Sequence, residues 1–326
     1  MFMDATQDLT RFLRRRPDLW PAGASGALRL RPAEEGSSGD VWIIEEDSGR
    51  GVGVLRRCEQ RSAARRLLVA HGLARRVAPG AAERPLPCLV GHDLSWWRTR
   101  RAGGPVLVEE WIEGESFASV TVDERRGHAE AIAEALRLLH GVTLPAERAG
   151  EVKVSERLRE MLAHRLDAFR DRPDLFTGDE LEALERHTWS LMESTPEPCE
   201  ATLTHTHLAA DDIRLRPSGR VAFIDIGALQ FGAPEVDLVD ALHVLGLADG
   251  DPEPLLVPYL AGRPAEEQRR IRRRLPLFHL LRDLGKLRAR LRERRGGGRE
   301  QRILELRDRL RARVEGFPLH SVRGGP

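Results

Sequence analysis

Leu203-Thr204-His205-Thr206-His207-Leu208-Ala209-Ala210-Asp211-Asp212-Ile213, followed by Val221-Ala222-Phe223-Ile224-Asp225-Ile226-Gly227, is the stretch on which the reading of this chain turns. Between the two runs, Pro217-Ser218-Gly219 supplies turn chemistry, so the flanking apolar residues pair as a hairpin. The hairpin is expected to gather His207, Asp212 and Asp225 at its mouth. An imidazole and two carboxylates there suit phosphoryl transfer: one group faces an acceptor hydroxyl, and two hold a hard cation against phosphates. A carboxylate that merely caps the turn after a strand is the plainer alternative for Asp225. His205-x-His207, if extended, would put both rings on one side and suit a transition metal.

Working outward, alternating apolar residues predict strands at 27–30, 41–45, 52–56, near 88–90 and at 105–111, with Asp47-Ser48-Gly49-Arg50-Gly51 as a turn. Helical spacing predicts helices over 4–16, from Ser62 to about Val77 with Leu67, Leu68 and Leu73 apolar, and over 125–140, 155–170, 237–247, 265–293 and 299–315. Thr177-Gly178-Asp179-Glu180 is a capping box opening another helix. His140, at a helix end, reads as structural. Gly36-Ser37-Ser38-Gly39 offers backbone N–H groups that can cover phosphates, although such a loop is more often an ordinary turn. Trp96 and Trp97, followed by Arg98, Arg100 and Arg101, interleave aromatic and basic groups; a surface hairpin tip is favoured over a nucleic-acid platform.

The loop from His205 to Asp212 resembles H-G-D-L-H-x-x-N of the aminoglycoside phosphotransferase and choline kinase-like proteins, which share the protein-kinase-like fold. The resemblance continues through Ile224-Asp225-Ile226 and Gly232-Ala233-Pro234-Glu235-Val236-Asp237-Leu238, and covers roughly residues 27–290. It implies an α+β, two-lobed architecture. Residues 1–26 are an N-terminal helix and linker, and 27–113 a small antiparallel-sheet N-lobe. Residues 114–326 are a mostly helical C-lobe holding the hairpin 203–227 and Arg-rich C-terminal helices.

The resemblance also implies ATP or GTP as phosphoryl donor, with Mg²⁺ held by Asp212 and Asp225, and a hydroxyl of a small molecule or peptide as acceptor. Glu110 and Ile112 fall on the hinge that meets the base; Gly36, Gly39 and Arg56 fall on the phosphates. His207 and Asp225 are the catalytic positions. The chain departs from the pattern where the chemistry sits, with His207 for the acidic residue and Asp212 for the amide. Arg56 replaces the usual lysine, and no acid lies between Ser62 and Gly80 to pair with it, Glu59 being the nearest. The alternative is a catalytically impaired pseudokinase, a module binding nucleotide, peptide or protein.

Composition fits a folded protein, since 41% hydrophobic and 32% charged residues leave enough apolar surface for a core. The net charge of +1 conceals an asymmetry: about +11 from Pro264 onward and about −10 before it. The basic segment admits a protein or anionic partner, or simply solvated helices. Only Lys153 and Lys286 are lysines, so arginine carries nearly all positive charge. Cys58, Cys88 and Cys199 are spaced neither as metal ligands nor as a disulfide set, which makes the cytoplasm the default expectation. No run approaches the roughly 18 apolar residues of a membrane span, and nucleic acid is not an expected partner.

Overall fold

Alternation places one apolar face on the N-terminal strands: Leu28 and Leu30, Trp42 and Ile44, Leu55, Val106 and Val108 are buried on one side. Each run therefore becomes a strand with an apolar face. We describe residues 2–24, 27–33, 40–78, 84–144, 147, 153–195, 201–293 and 299–314 from a computed structural model. The chain divides into two compact units: residues 1–143, 202–231 and 241–259, and residues 144–201, 232–240 and 260–326.

In the first unit, helix α1 (Phe2–Arg14) precedes strands β1 (Arg29–Pro32), β2 (Val41–Glu45) and β3 (Gly51–Arg57). Helix α2 (Arg61–Ala74) follows, then β4 (Leu89–Asp93), the short helix α3 (Trp96–Thr99) and β5 (Val106–Glu110). The five strands form an antiparallel sheet in the order β1-β2-β3-β5-β4. One face packs on Leu9, Phe12 and Leu13 of α1. On the other, Leu107 meets Cys58 and Ala64.

Helix α2 buries Ala64, Ala70, His71 and Ala74, whereas Leu67, Leu68 and Leu73 are only half-buried. Leu67 and Leu68 still pack against the cluster of Cys58, Ala64 and Leu107, and Leu67 also reaches the turn at Gly227, where an added Cβ would sit 3.4 Å from its Cδ2. Residues 96–102 form a helical turn rather than a hairpin tip. The Ser95 carbonyl accepts the N–H groups of Arg98 and Thr99, and the Asp93 carboxylate accepts that of Ser95. Trp97 is 84% exposed there.

Strand β6 (Glu115–Ser116) leads to α4 (Val122–Arg126) and α5 (Ala129–His140). One helix was expected over 125–140, but two form. Thr121 and Glu124 make a capping box that starts α4 early, and the chain turns at Gly127 before restarting. His140 ends α5 buried, its Nδ1 2.8 Å from the Tyr259 hydroxyl, which fits a structural role.

Strand β7 (Thr202–Thr204) pairs with β10 (Gln230–Gly232), and between them β8 (Ile213–Leu215) and β9 (Val221–Phe223) form the hairpin. Ile213 faces Phe223 and Leu215 faces Val221. Gly219, at φ +81°, closes the turn, where the Arg216 N–H donates to the Arg220 carbonyl at 2.8 Å. Strand β6 adds to the hairpin beside β8. Gly114 permits that approach: its φ is +147°, and a Cβ would lie 2.5 Å from the Leu215 carbonyl oxygen.

The second unit is helical. It holds α6 (Val154–Asp167), α7 (Gly178–Ser194), the first turns of α8 (Glu235–Val244), and, after α9 (Glu253–Leu260), the long α10 (Ala265–Arg292) and α11 (Arg299–Arg313). The capping box opening α7 is made, with the Thr177 N–H on the Glu180 carboxylate at 2.9 Å. Many arginines of α10 and α11 turn toward buried acids. Arg274 pairs with Glu235 at 3.2 Å and Arg282 with Asp240 at 2.6 Å; Arg313 and Arg309 meet Asp283 at 2.9 and 3.7 Å. No helix among the described residues is long and apolar enough to cross a membrane.

Candidate active site

The loop from β7 to β8 begins with His205, fully buried, whose ring lies edge-on to Phe223 with centroids 5.8 Å apart. Its Nδ1 stands 3.1 Å from the His207 carbonyl, an oxygen that only accepts, so that nitrogen carries a proton. Thr206 then adopts φ +65°, a left-handed conformation costly for a β-branched residue. It holds the position of the glycine in H-G-D. The Thr206 hydroxyl donates to the Ala228 carbonyl at 2.9 Å, tying this loop to the turn that follows Asp225. The left-handed residue breaks the extended path on which a His-x-His metal pair depends: His205 points into the core and His207 is exposed.

Asp212 is half-buried and shapes its own loop, accepting the Ala209 N–H at 2.9 Å, while its carbonyl accepts the Ile224 N–H at 2.8 Å. Burial, reinforced by the charges of Asp211 and Asp225, pushes its carboxyl above the ordinary range despite the Ala209 bond and nearby His205. Asp225 follows β9 with its side chain 58% exposed.

Arg56 does not lack an acidic partner. Its Nε donates to Glu109 Oε2 at 3.0 Å, one terminal nitrogen lies 3.7 Å from Asp225 Oδ1, and the other donates to the Ile224 carbonyl at 3.5 Å. The acid comes from β5, the strand next to β3, and not from the helix that follows Arg56. Helix α2 supplies His71, whose Nε2 stands 3.1 Å from Glu109 Oε1. Burial alone would raise Glu109; Arg56 and His71 together hold it below the ordinary carboxylate range. Neither partner was read from the sequence. The available signal was period two in β5: Leu107 faces α2, so Glu109 does as well.

Arg56, Glu110, Ile112, His207, Asp212 and Asp225 line one cavity of about 480 Å³, with Val41, Ile43, Val54 and Trp111 in its wall. Glu110 is tied to the neighbouring segment by its N–H on the Cys88 carbonyl at 2.8 Å and its carboxylate on the Cys88 N–H at 3.1 Å. Gly36 and Gly39 lie outside the described residues. Among the described residues, no three His, Cys, Asp or Glu side chains form a closed metal cage. A crowded carboxylate pair open to a cavity suits a cation such as Mg²⁺ that completes its shell with phosphate oxygens and water, and such a cation would relieve the charge crowding at Asp212. Apolar walls beside an arginine and carboxylates can accept a flat base together with a phosphate chain.

The sequence profile of the phosphotransferase enzyme family matches residues 29–270. No curated protein sequence matches the chain. Among solved structures, the GDP and kanamycin complex of an aminoglycoside 2″-phosphotransferase is 16% identical with a TM-score of 0.59, over 93% of this chain and 98% of that one. A choline/ethanolamine kinase family protein from Mesorhizobium loti is 17% identical with a TM-score of 0.61, over 95% of each chain. The macrolide 2′-phosphotransferase of Brachybacterium faecium is 17% identical with a TM-score of 0.57, over 95% and 98%. At such identities the likeness is one of fold: an α+β, two-lobed, protein-kinase-like architecture.

Proposed function

The chain belongs to the phosphotransferase enzyme family, and from that premise we propose that it moves the terminal phosphoryl group of a nucleoside triphosphate to a hydroxyl. The acceptor is a small molecule or a peptide, the donor ATP or GTP. One observation carries the reading: Arg56 stands between Glu109 and Asp225 in a cavity that also receives Asp212 and His207. A chain lacking an acid in its second helix would otherwise have no means of fixing a phosphate-binding cation.

Asp212 and Asp225 would hold Mg²⁺, which when bound offsets charge on the phosphate oxygens. Arg56 offers its terminal nitrogens to the same oxygens. Glu110 and Ile112 line the wall against which the base would rest. His207 orients the acceptor hydroxyl and, as neutral imidazole, takes its proton as the new oxygen–phosphorus bond forms and the bond to the nucleoside diphosphate breaks. The aminoglycoside relative was solved with GDP and kanamycin, which makes a polyhydroxylated amine a reasonable first acceptor to assay.

A second reading, binding without turnover, rests on His207 standing in place of the family's acidic residue. Turnover with terminally labelled ATP and GTP, Mg²⁺ and a panel of hydroxyl acceptors separates the two. The enzyme reading predicts label transfer by the wild type, and a drop of about a hundredfold in His207→Gln with the pH dependence flattened. An inert wild type, with transfer gained in His207→Asp, would establish the second reading instead.

A further inference from the structure

Resting on the nucleotide site proposed above, we infer that His71 and Glu109 are positioning residues. They fix the roll of the Arg56 guanidinium so that its two terminal nitrogens face the phosphate chain.

The three side chains form a line from helix to cavity. His71 is 1% exposed and Glu109 2%, and each Glu109 oxygen has its own partner, Oε1 the His71 Nε2 and Oε2 the Arg56 Nε. Because Nε is the nitrogen taken, the guanidinium plane cannot rotate about its stem without breaking that bond. Its two terminal nitrogens are left toward Asp225 and the Ile224 carbonyl, on the cavity side. His71 Nδ1 is buried and meets no hydrogen-bond partner among the described residues. A proton there would be stranded, so the ring holds its proton on Nε2 and donates it to Glu109. That bond fixes the carboxylate, which fixes the arginine.

The arrangement also accounts for arginine at this place. A lysine reaching Glu109 would offer all its donors from one nitrogen, whereas arginine binds Glu109 with Nε and presents two further nitrogens, set apart in a fixed plane, to phosphate. Helix α2 therefore communicates with the phosphate site through an imidazole and an acid from the adjacent strand. On this geometry, losing His71 damages recognition of the phosphates and not of the base.

Equilibrium binding with Mg²⁺ tests this, using ATP and GTP beside adenosine and guanosine, on the wild type, His71→Leu, His71→Gln, Glu109→Gln and Arg56→Lys. The expected result is a loss of roughly tenfold in triphosphate affinity for His71→Leu, with nucleoside affinity within about twofold of wild type. His71→Gln, which keeps a donor near the Nε2 position, recovers most of the loss. Glu109→Gln and Arg56→Lys also lose triphosphate affinity selectively. Under turnover, the His71→Leu defect should lie mainly in nucleotide KM.

Parallel losses for triphosphate and nucleoside, no loss, or failure of glutamine to rescue would each overturn the inference. If His71→Leu does not fold by thermal melt, Glu109→Gln carries the same comparison. A wild type that binds neither nucleotide removes the underlying functional reading as well. A wild type that binds, with an unchanged triphosphate-to-nucleoside ratio in the variants, removes this inference alone.

Discussion

At the scale of single residues, two side chains do work that their types do not advertise. Thr206 adopts a left-handed backbone and returns part of the cost through its hydroxyl bond to Ala228. Thr206→Val keeps the shape and loses the bond, and should lower stability by about 1 kcal/mol. Thr206→Asn, easier in that conformation and still able to donate, should be at least as stable as wild type. Urea midpoints of the two variants decide it.

Glu109 gives a pH dependence whose sign is fixed. Its folded pKa lies below the ordinary value of 4.5. Its stabilisation is therefore present above that value and is lost as pH falls through the depressed one. The stability gap between wild type and Glu109→Gln should be constant near neutrality and close in acid, as urea melts across pH would record. A gap that widens toward acid would contradict this. That His207, Asp212 and Asp225 meet at one cavity was legible in the sequence through loop spacing. The partners of Arg56 were not, because strand adjacency and helix facing are set by tertiary pairing.

At the scale of elements, local chemistry determined most of what formed. The alternation in Val41–Glu45 marks that strand, Pro217-Ser218-Gly219 marks the hairpin turn, and the Thr177 box marks the start of α7. Reading failed where a boundary lay inside one periodic run, as at Gly127. Gly114 is the element-level constraint most open to test, since it lets the segment leaving β5 pass against β8. Gly114→Ala should cost about 2–3 kcal/mol, from the strained φ together with the clash at Leu215. It should also weaken nucleotide binding by displacing neighbouring Ile112. Denaturant melts and a nucleotide titration on the same preparation would register both effects.

At the scale of the whole molecule, the charge asymmetry resolves into structure. Arg274, Arg282, Arg309 and Arg313 are engaged with acids of their own unit, while Arg269, Arg273 and Arg302 face solvent. The basic segment is thus in good part an internal scaffold, a distinction that net charge alone does not carry. The family likewise sets the fold without setting the chemistry, because His207 and Arg56 both depart from its pattern. The proposed cation site at Asp212 and Asp225 would make nucleotide binding depend on a divalent cation. The most direct measurement is calorimetric titration of ATP and GTP into wild type and Asp225→Ala, with and without Mg²⁺. The prediction is tight binding only for wild type with Mg²⁺, falling at least about tenfold when either the cation or the carboxylate is removed. Equal affinity in all four conditions would contradict it.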